Sequence, residues 1–346
     1  MKKIAVVYGG FSSEYDISIK SGKNIAANID KNKYEVYEVL IAKKPLDKWS
    51  VMLSEDNTRS CGSAKTVEID KSDFSFMLNG QKVKFDLAYI IIHGSPGENG
   101  ILQAYFEMIG QSYVGCNSFT AALSFDKYAC KSFLKGTSVH MAKDFFLRKS
   151  NDSQFPIKEI VHRLTFPMFV KPNNGGSSYG ISKVKKVEDL SKALDYAFAE
   201  DDTLIIEEQI KGQELTCAVY PRCLDAVKNN KVSSKFISYA LPVTEIIPET
   251  EYFDYEAKYL GKSAEICPAQ IDNDLKERIQ KISVELYDYM GCSGLVRIDY
   301  IYDGLDIYFL EVNLTPGMTA ESIVPKMVKV DGLHMTDFLT EVIENR

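Results

Sequence analysis

Two short stretches near the C-terminus carry side chains suited to handling a metal and a phosphate: Arg297-Ile298-Asp299 and, further on, Glu311-Val312-Asn313. Both lie in strand-like runs, 295–302 and 307–312. Asp303-Gly304 between them is a strong hairpin signal. Pairing Tyr302 with Tyr308 would set Asp299 opposite Glu311 and Arg297 opposite Asn313. Side chains alternate faces along a strand, so these four would share one face. Two carboxylates and an amide oxygen suit a hard cation such as Mg²⁺. An arginine beside them suits charge developing on a phosphoryl group. Taken alone, the same face also reads as a salt-bridged, solvated strand surface.

A second stretch is Val170-Lys171-Pro172-Asn173-Asn174-Gly175-Gly176-Ser177-Ser178-Tyr179-Gly180. Glycines and serines beside a lysine can wrap N–H groups and hydroxyls around a phosphate. The Walker pattern is absent, and the residues after Gly180 read as a strand rather than a helix. The expectation is a hairpin flap able to close over a phosphate, with an ordinary Gly/Ser turn as the alternative. A third cluster, Ile205-Ile206-Glu207-Glu208-Gln209-Ile210 followed by Glu214, is a strand ending in carboxylates. It could hydrogen-bond an adenine amine and ribose hydroxyls, or be surface acid.

The elements that must position these residues follow from patterning. The 346 residues allow two or three domains, and at 45% hydrophobic they can bury a core. No apolar run reaches the ~18 residues of a transmembrane helix. The opening Met-Lys-Lys-Ile-Ala-Val-Val-Tyr has an apolar stretch too short for a signal peptide and reads as a first strand. A net charge of −7 without a basic block argues against a nucleic-acid partner. Seven scattered cysteines with no Cys-x-x-Cys pair read as free thiols in a reducing compartment, the cytoplasm.

Strands are expected at 1–8, 34–41 and 87–92, short strands and turns over 47–82, and helices from the Gly9-Gly10 loop to about 29 and over 101–109. This βαβ alternation predicts an open parallel sheet. Ligands bind such sheets at the carboxyl ends of strands, which directs attention to the loops at 9–15 and 93–99. Glu14 there could meet a ligand or simply favour a helix start; His93 could line the same place or be structural. A helix over 124–135, strands at 168–171, 181–184 and 204–208, and a helix over 187–199 follow. Then come strands near 214–220 and 236–247, a surface loop around 222–234, an irregular stretch at 249–262, a helix over 274–290, the hairpin and a terminal helix.

Together these stretches resemble the ATP-grasp superfamily and, within it, the D-alanine–D-alanine ligase family. The resemblance spans nearly the whole chain. It rests on Val7-Tyr8-Gly9-Gly10-x-Ser-Ser-Glu14, His93-Gly94-x-Pro-Gly-Glu-Asn-Gly and Asp126-Lys127. It rests also on the 170–178 string, Phe253-Asp254-Tyr255-Glu256-Ala257-Lys258-Tyr259, Arg297-Ile298-Asp299, and Leu310-Glu311-Val312-Asn313-Leu314-Thr315-Pro316-Gly317-Met318-Thr319. It implies an α/β fold: an N-terminal open parallel-sheet domain (1–117), then a two-lobed α+β ATP-grasp unit with lobes 118–213 and 214–346.

The implied reaction phosphorylates one D-alanine with ATP. The amine of a second D-alanine then displaces phosphate, making D-alanyl-D-alanine for peptidoglycan. ATP would be gripped by Lys127, Lys171, Gly176, Ser177, Ser178, Glu207, Glu208, Ile210, Glu214 and Lys258. Two Mg²⁺ (or Mn²⁺) would sit on Asp299, Glu311 and Asn313. Arg297 and the Gly317 N–H would stabilise the oxyanion. Glu14 would hold the first ammonium with His93 alongside, and Ser322 and Lys258 the second carboxylate. Glu14, Ser177 and Tyr259 would form a cluster locking 249–262 as a lid against water.

The resemblance also implies a homodimer through the N-terminal domain. Relatives making D-alanyl-D-lactate depart from Glu256-Ala257-Lys258-Tyr259, which this chain keeps. Gly175, where many relatives carry glutamate, and Phe253, for a frequent tyrosine, are departures. Three rivals stand beside this reading. One is another carboxylate–amine ligase using a different D-amino or hydroxy acid. Another is a nicotinamide dehydrogenase, which lacks its Gly-x-Gly-x-x-Gly here. The last is a non-catalytic ATP-binding module.

Overall fold

The computed structural model describes residues 1–53, 66–150, 155–176, 179–228, 231–248 and 263–345. The first sheet contains β1 (Lys2–Gly9), β2 (Tyr34–Ile41), β3 (Ser50–Met52), β4 (Thr66–Glu68), β7 (Leu87–Ile90) and β8 (Tyr113–Val114). The hairpin β5 (Ser75–Leu78)–β6 (Gln81–Lys84) lies apart. The sheet order is β4-β3-β2-β1-β7-β8. The pairs among β2, β1, β7 and β8 are parallel, as the βαβ pattern predicts, and β3 and β4 add an antiparallel edge.

β1 is buried on both sides, which is why it reads as a continuous apolar run. Ile4, Val6 and Tyr8 pack with Ile25 of α1 (Tyr15–Asn28) and with Ile29 just after it, whereas Ala5 and Val7 pack with Phe74, Phe76 and Phe106 on the opposite face. The first face also meets Met327, Phe338, Leu339 and Val342 from the chain's end, so one core joins the two ends of the sequence. α2 (Ile101–Ile109) carries Leu102 and Phe106 into the second face.

The expected single helix over 124–135 is two: α3 (Ser118–Phe125) and α4 (Lys127–Leu134). Asp126 divides them. Its backbone is extended and its carboxylate accepts from Ala129 N at 2.8 Å, so it starts a new helix as an N-cap. Next come β9 (His140–Met141) and β10 (Asp144–Arg148), then α5 (Ile157–Arg163) and β11 (Met168–Pro172). They are followed by β12 (Ser182–Val184), α6 (Leu190–Phe198) and β13 (Thr203–Glu208). An antiparallel sheet β10-β13-β11-β12 forms, with α5 and α6 over Met168, Val170, Leu204 and Ile206. β11 and β12 pair antiparallel, as the two strands of a hairpin, the strand–glycine loop–strand order that the glycine string predicts.

The last sheet runs β17 (Ser263–Ile266), β16 (Thr244–Pro248), β14 (Gln213–Lys228), β18 (Val296–Tyr302), β19 (Ile307–Asn313), β9, with β15 (Lys231–Ala240) on the outer half of β14. The expected surface loop at 222–234 is thus a β-ladder, Val219 pairing Ala240 out to Lys228 pairing Lys231. α7 (Asn273–Tyr289) buries Leu275, Ile279 and Leu286 against Ile298, Tyr300 and Val312.

The terminal helix is also two, α8 (Ile323–Val330) and α9 (Met335–Glu344). Gly332, at φ +78°, ends the first, and Leu333 N donates to Val328 O in the 6→1 bond of a Schellman turn. The cysteines among the described residues are free thiols. None of the described helices is long and apolar enough to cross a membrane.

Candidate active site

β18 and β19 pair Arg297 with Asn313 and Asp299 with Glu311, the register read from the sequence. Nearer the turn Tyr302 pairs Ile307, not Tyr308, because Leu310 is an extra residue on β19. Asp303 closes the turn by accepting from Leu305 N and Asp306 N at 2.9 and 2.8 Å.

Asp299 is the buried centre of the face. Arg297 grips both its oxygens, Nε to Oδ1 at 2.9 Å and Nη2 to Oδ2 at 2.8 Å. Asn313 Nδ2 donates to Oδ2 at 3.0 Å, and the Thr216 hydroxyl donates to Oδ1 from β14. Such a bidentate fork fixes the guanidinium plane. Glu214 lies on this same sheet face, two residues along β14 from Thr216.

This face forms part of a cleft of about 870 Å³ whose walls include Glu14, His93, Lys127, Gly176, Arg297, Glu311, Asn313, Gly317 and Ser322. Residues from both ends of the chain and from the flap therefore meet at one place. Glu14 is buried and is the N-cap residue of α1, where its side chain makes no capping hydrogen bond. The flap comes against it: a Cβ on Gly176 would lie 3.2 Å from Glu14 Oε2. Ser177, Ser178, Lys258 and Tyr259, along with Phe253, lie outside the described residues.

Gly317 sits where a Cβ would come 2.9 Å from Ser322 Oγ. The Ser322 hydroxyl accepts from Thr319 N at 3.0 Å rather than capping its own helix, and the first turn of α8 lines the cleft.

The expected nucleotide grip is only partly gathered at the cleft. Lys127 Nζ donates to Gly175 O at 2.5 Å, tying α4 to the flap. Asn173 strengthens that tie by accepting from Lys127 N and, through its side chain, from Tyr128 N. Glu207 is held between two ammoniums, Lys131 at 2.5 Å and Lys171 at 2.7 Å. Burial alone would raise the Glu207 carboxyl, but the two lysines outweigh it and bring it down to about 2. Burial alone would lower Lys131; Glu207 and Asp144 reverse that and raise it.

Glu207 therefore organises lysines, and Glu208, on the opposite strand face, accepts from Thr165 N at 2.8 Å. Their side chains therefore leave opposite faces of β13. Ile210 follows just after β13, beyond a Gln209 N–H already taken by Pro167 O.

Lys131, Thr216, Glu98 and Thr315 escaped the sequence reading. Lys131 lies one helical turn from Lys127, and Glu98 stands inside the His93-Gly94-x-Pro-Gly-Glu string. Those spacings were the available signals.

Two carboxylates and an amide on one face fit a hard divalent cation, which completes its shell with phosphate and water oxygens. Among the described residues no three His, Cys, Asp or Glu side chains gather as a closed metal centre. Because Arg297 spans both Asp299 oxygens, cation and guanidinium would have to share that carboxylate.

A family model described as D-ala D-ala ligase N-terminus matches residues 3–116, and one described as D-ala D-ala ligase C-terminus matches 133–344. A D-alanine–D-alanine ligase of Phocaeicola vulgatus is 42% identical over 100% of this chain and 99% of its own. The VanG D-Ala:D-Ser ligase of Enterococcus faecalis has a similar structure, with TM-score 0.83 and 33% identity over 99% of this chain and 98% of that one. A Bacillus anthracis D-alanine–D-alanine ligase complexed with ATP superposes with TM-score 0.72, at 28% identity over 100% and 97%. The chain belongs to the D-alanine–D-alanine ligase family and has its ATP-grasp fold.

Proposed function

We propose that this chain joins two D-alanines into D-alanyl-D-alanine at the expense of ATP, supplying a cell-wall precursor in the cytoplasm. The observation that carries the reading is the cleft in which Arg297, Glu311, Asn313 and Gly317 face the buried Glu14 across the tip of the flap. Glu14 holds the ammonium of the first D-alanine and so aims its carboxylate at the nucleotide. Lys127 and Lys171 offset phosphate charge. Attack of the second amine on the D-alanyl phosphate forms the C–N bond, breaks the C–O bond to phosphate and releases a proton. Arg297 and the Gly317 N–H stabilise the tetrahedral oxyanion. Ser322 and the first turn of α8 hold the second carboxylate at a helix N-terminus. Asp299, Glu311 and Asn313 would hold two Mg²⁺ or Mn²⁺, which neutralise charge on the transferred phosphoryl group. Ser177, Ser178, Lys258 and Tyr259 complete the proposed site, and closure over it keeps water from the acyl phosphate.

The test is ATP-dependent phosphate release across D- and L-amino acids, with products identified by mass. D-alanine alone should give phosphate and the dipeptide; no turnover would sink the proposal. The likeness to a D-Ala:D-Ser ligase favours one second reading, D-serine as acceptor, and the same panel reads it directly. Gly317→Ala would push its Cβ into Ser322 Oγ. Overpacking of this kind costs about 1–3 kcal/mol, so turnover should fall roughly tenfold, read as kcat at saturating D-alanine.

The proposed assembly is a homodimer. Ile101 and Met108 on α2 and Phe119 on α3 are 57%, 80% and 65% exposed on helices that pack together, the kind of apolar surface a second copy covers. Light scattering after size exclusion should give twice the 38.9 kDa chain mass, and Met108→Glu should shift it toward monomer.

A further inference from the structure

Gly317 sits on the loop 314–318, and much of what fixes that loop comes from the other end of the chain. The Thr315 hydroxyl lies 2.7 Å from Glu98 Oε1 and 3.1 Å from the Ile92 carbonyl. The other Glu98 oxygen accepts from Gly94 N at 2.7 Å. His93 Nδ1 is 2.8 Å from Thr315 O; a carbonyl can only accept, so Nδ1 carries the proton. Nε2 is 3.2 Å from Ser21 Oγ, which accepts from Met318 N at 3.2 Å. Asn24 Nδ2 donates to Met318 O at 2.7 Å. Both ring nitrogens of His93 are thus spent on protein groups, although the ring lines the cleft. His93, Ser21 and Thr315 are all buried, so these bonds compete little with water.

We infer that Glu98 and His93 are positioning residues that act through Thr315, clasping loop 314–318 so that the Gly317 N–H points at the reacting centre. This rests on the ligase reading of the cleft. It gives His93 a different task from contacting substrate. The second carboxylate near Glu14 need not bind the ammonium, because both its oxygens already serve the clasp. Burial, and then the negative field of Glu14, push the Glu98 carboxyl up, while His93, Thr315 and Gly94 oppose them. An ammonium docked on Glu14 would relieve that repulsion, so first-substrate binding tightens the clasp.

The experiment compares Glu98→Ala, Thr315→Val, their double variant and Glu98→Gln. Glutamine can accept from Gly94 N and donate to Thr315 Oγ, preserving the clasp without the charge. Misplacing a catalytic group by about an ångström costs up to ~100-fold. Glu98→Ala and Thr315→Val should each lower kcat roughly 10- to 100-fold, with KM for ATP within about twofold. The double variant should be no worse than the poorer single one, and Glu98→Gln should recover most of the loss. In ¹⁵N-histidine spectra the His93 Nδ1–H should exchange slowly in the wild type and in Glu98→Gln, and at least ~10-fold faster in Glu98→Ala. If Glu98→Gln is as impaired as Glu98→Ala, if the two losses simply multiply, or if only KM for D-alanine rises, the clasp is overturned. If wild-type protein turns over no D-alanine, the ligase reading fails, while the His93 proton still decides the clasp.

Discussion

Asp299→Asn should lower kcat by on the order of 10³. The reason lies in the geometry around its carboxylate. Both oxygens act as acceptors, for two guanidinium N–H groups, an amide N–H and a hydroxyl. Asparagine supplies one acceptor and sets an NH₂ against a donor, so the Arg297 fork loses its fixed plane and the face loses a negative charge for the proposed cation. Phosphate release with D-alanine and ATP measures the effect, and melting curves separate it from unfolding. Wild-type turnover in this variant would remove Asp299 from the chemistry. Arg297→Lys should be nearly as damaging, because a point charge cannot reproduce a bidentate contact.

The largest expected loss of stability is at Glu207. Its side chain is 11% exposed and that of Lys131 only 4%. Glu207→Ala leaves the buried Lys131 ammonium with Asp144 as its one carboxylate and weakens the hold on Lys171, a change in the direction of the about 3–5 kcal/mol that breaking a buried ion pair costs. Urea unfolding would read it. Glu207→Ala combined with Lys131→Met should recover much of the loss, since an apolar pair can replace a buried ionic one; no recovery would mean Glu207 stabilises by other means. The acid limb follows with a definite sign. The Glu207 carboxyl is depressed on folding, from an ordinary 4.5 to about 2. Its contribution is therefore complete above about pH 4.5 and drains away as pH falls toward 2. Glu207→Gln should flatten that part of the stability–pH curve.

The hairpin carrying Arg297, Asp299, Glu311 and Asn313 was legible because an Asp-Gly turn and alternation within each short stretch are local signals, and both survive in the fold although the bulge at Leu310 breaks the alternation nearer the turn. The parallel sheet was legible for a related reason: strands buried on both faces leave continuous apolar runs. The two mis-read helices failed on single residues. Asp126 looks like a helix-interior acid until its backbone is extended, and Gly332 looks like a tolerated glycine until its φ turns positive.

The 222–234 ladder was hidden because its residues alternate weakly and depend on pairing with each other for their shape. Glu207 and Glu208 read as one acidic cluster; only the pleat separates them, one toward lysines and one toward a backbone amide. Glu98 and Thr315 could not be joined from sequence at all, because their contact closes a loop of more than two hundred residues.

Leu310 has a consequence beyond its own strand. If the pairing at the turn ran on unbroken, Asp299 would face Leu310 and Arg297 would face Val312. Glu311 and Asn313 would then point under α7, into the hydrocarbon of Ile279 and Leu286. The extra residue works as a phase shifter, putting the turn and the chemistry half a pleat out of step. Because the bulge absorbs that step, deleting Leu310 would leave Asp299 opposite Glu311 and Arg297 opposite Asn313 in an unbroken ladder, whereas drawing the leucine into the pairing would turn the face inside out.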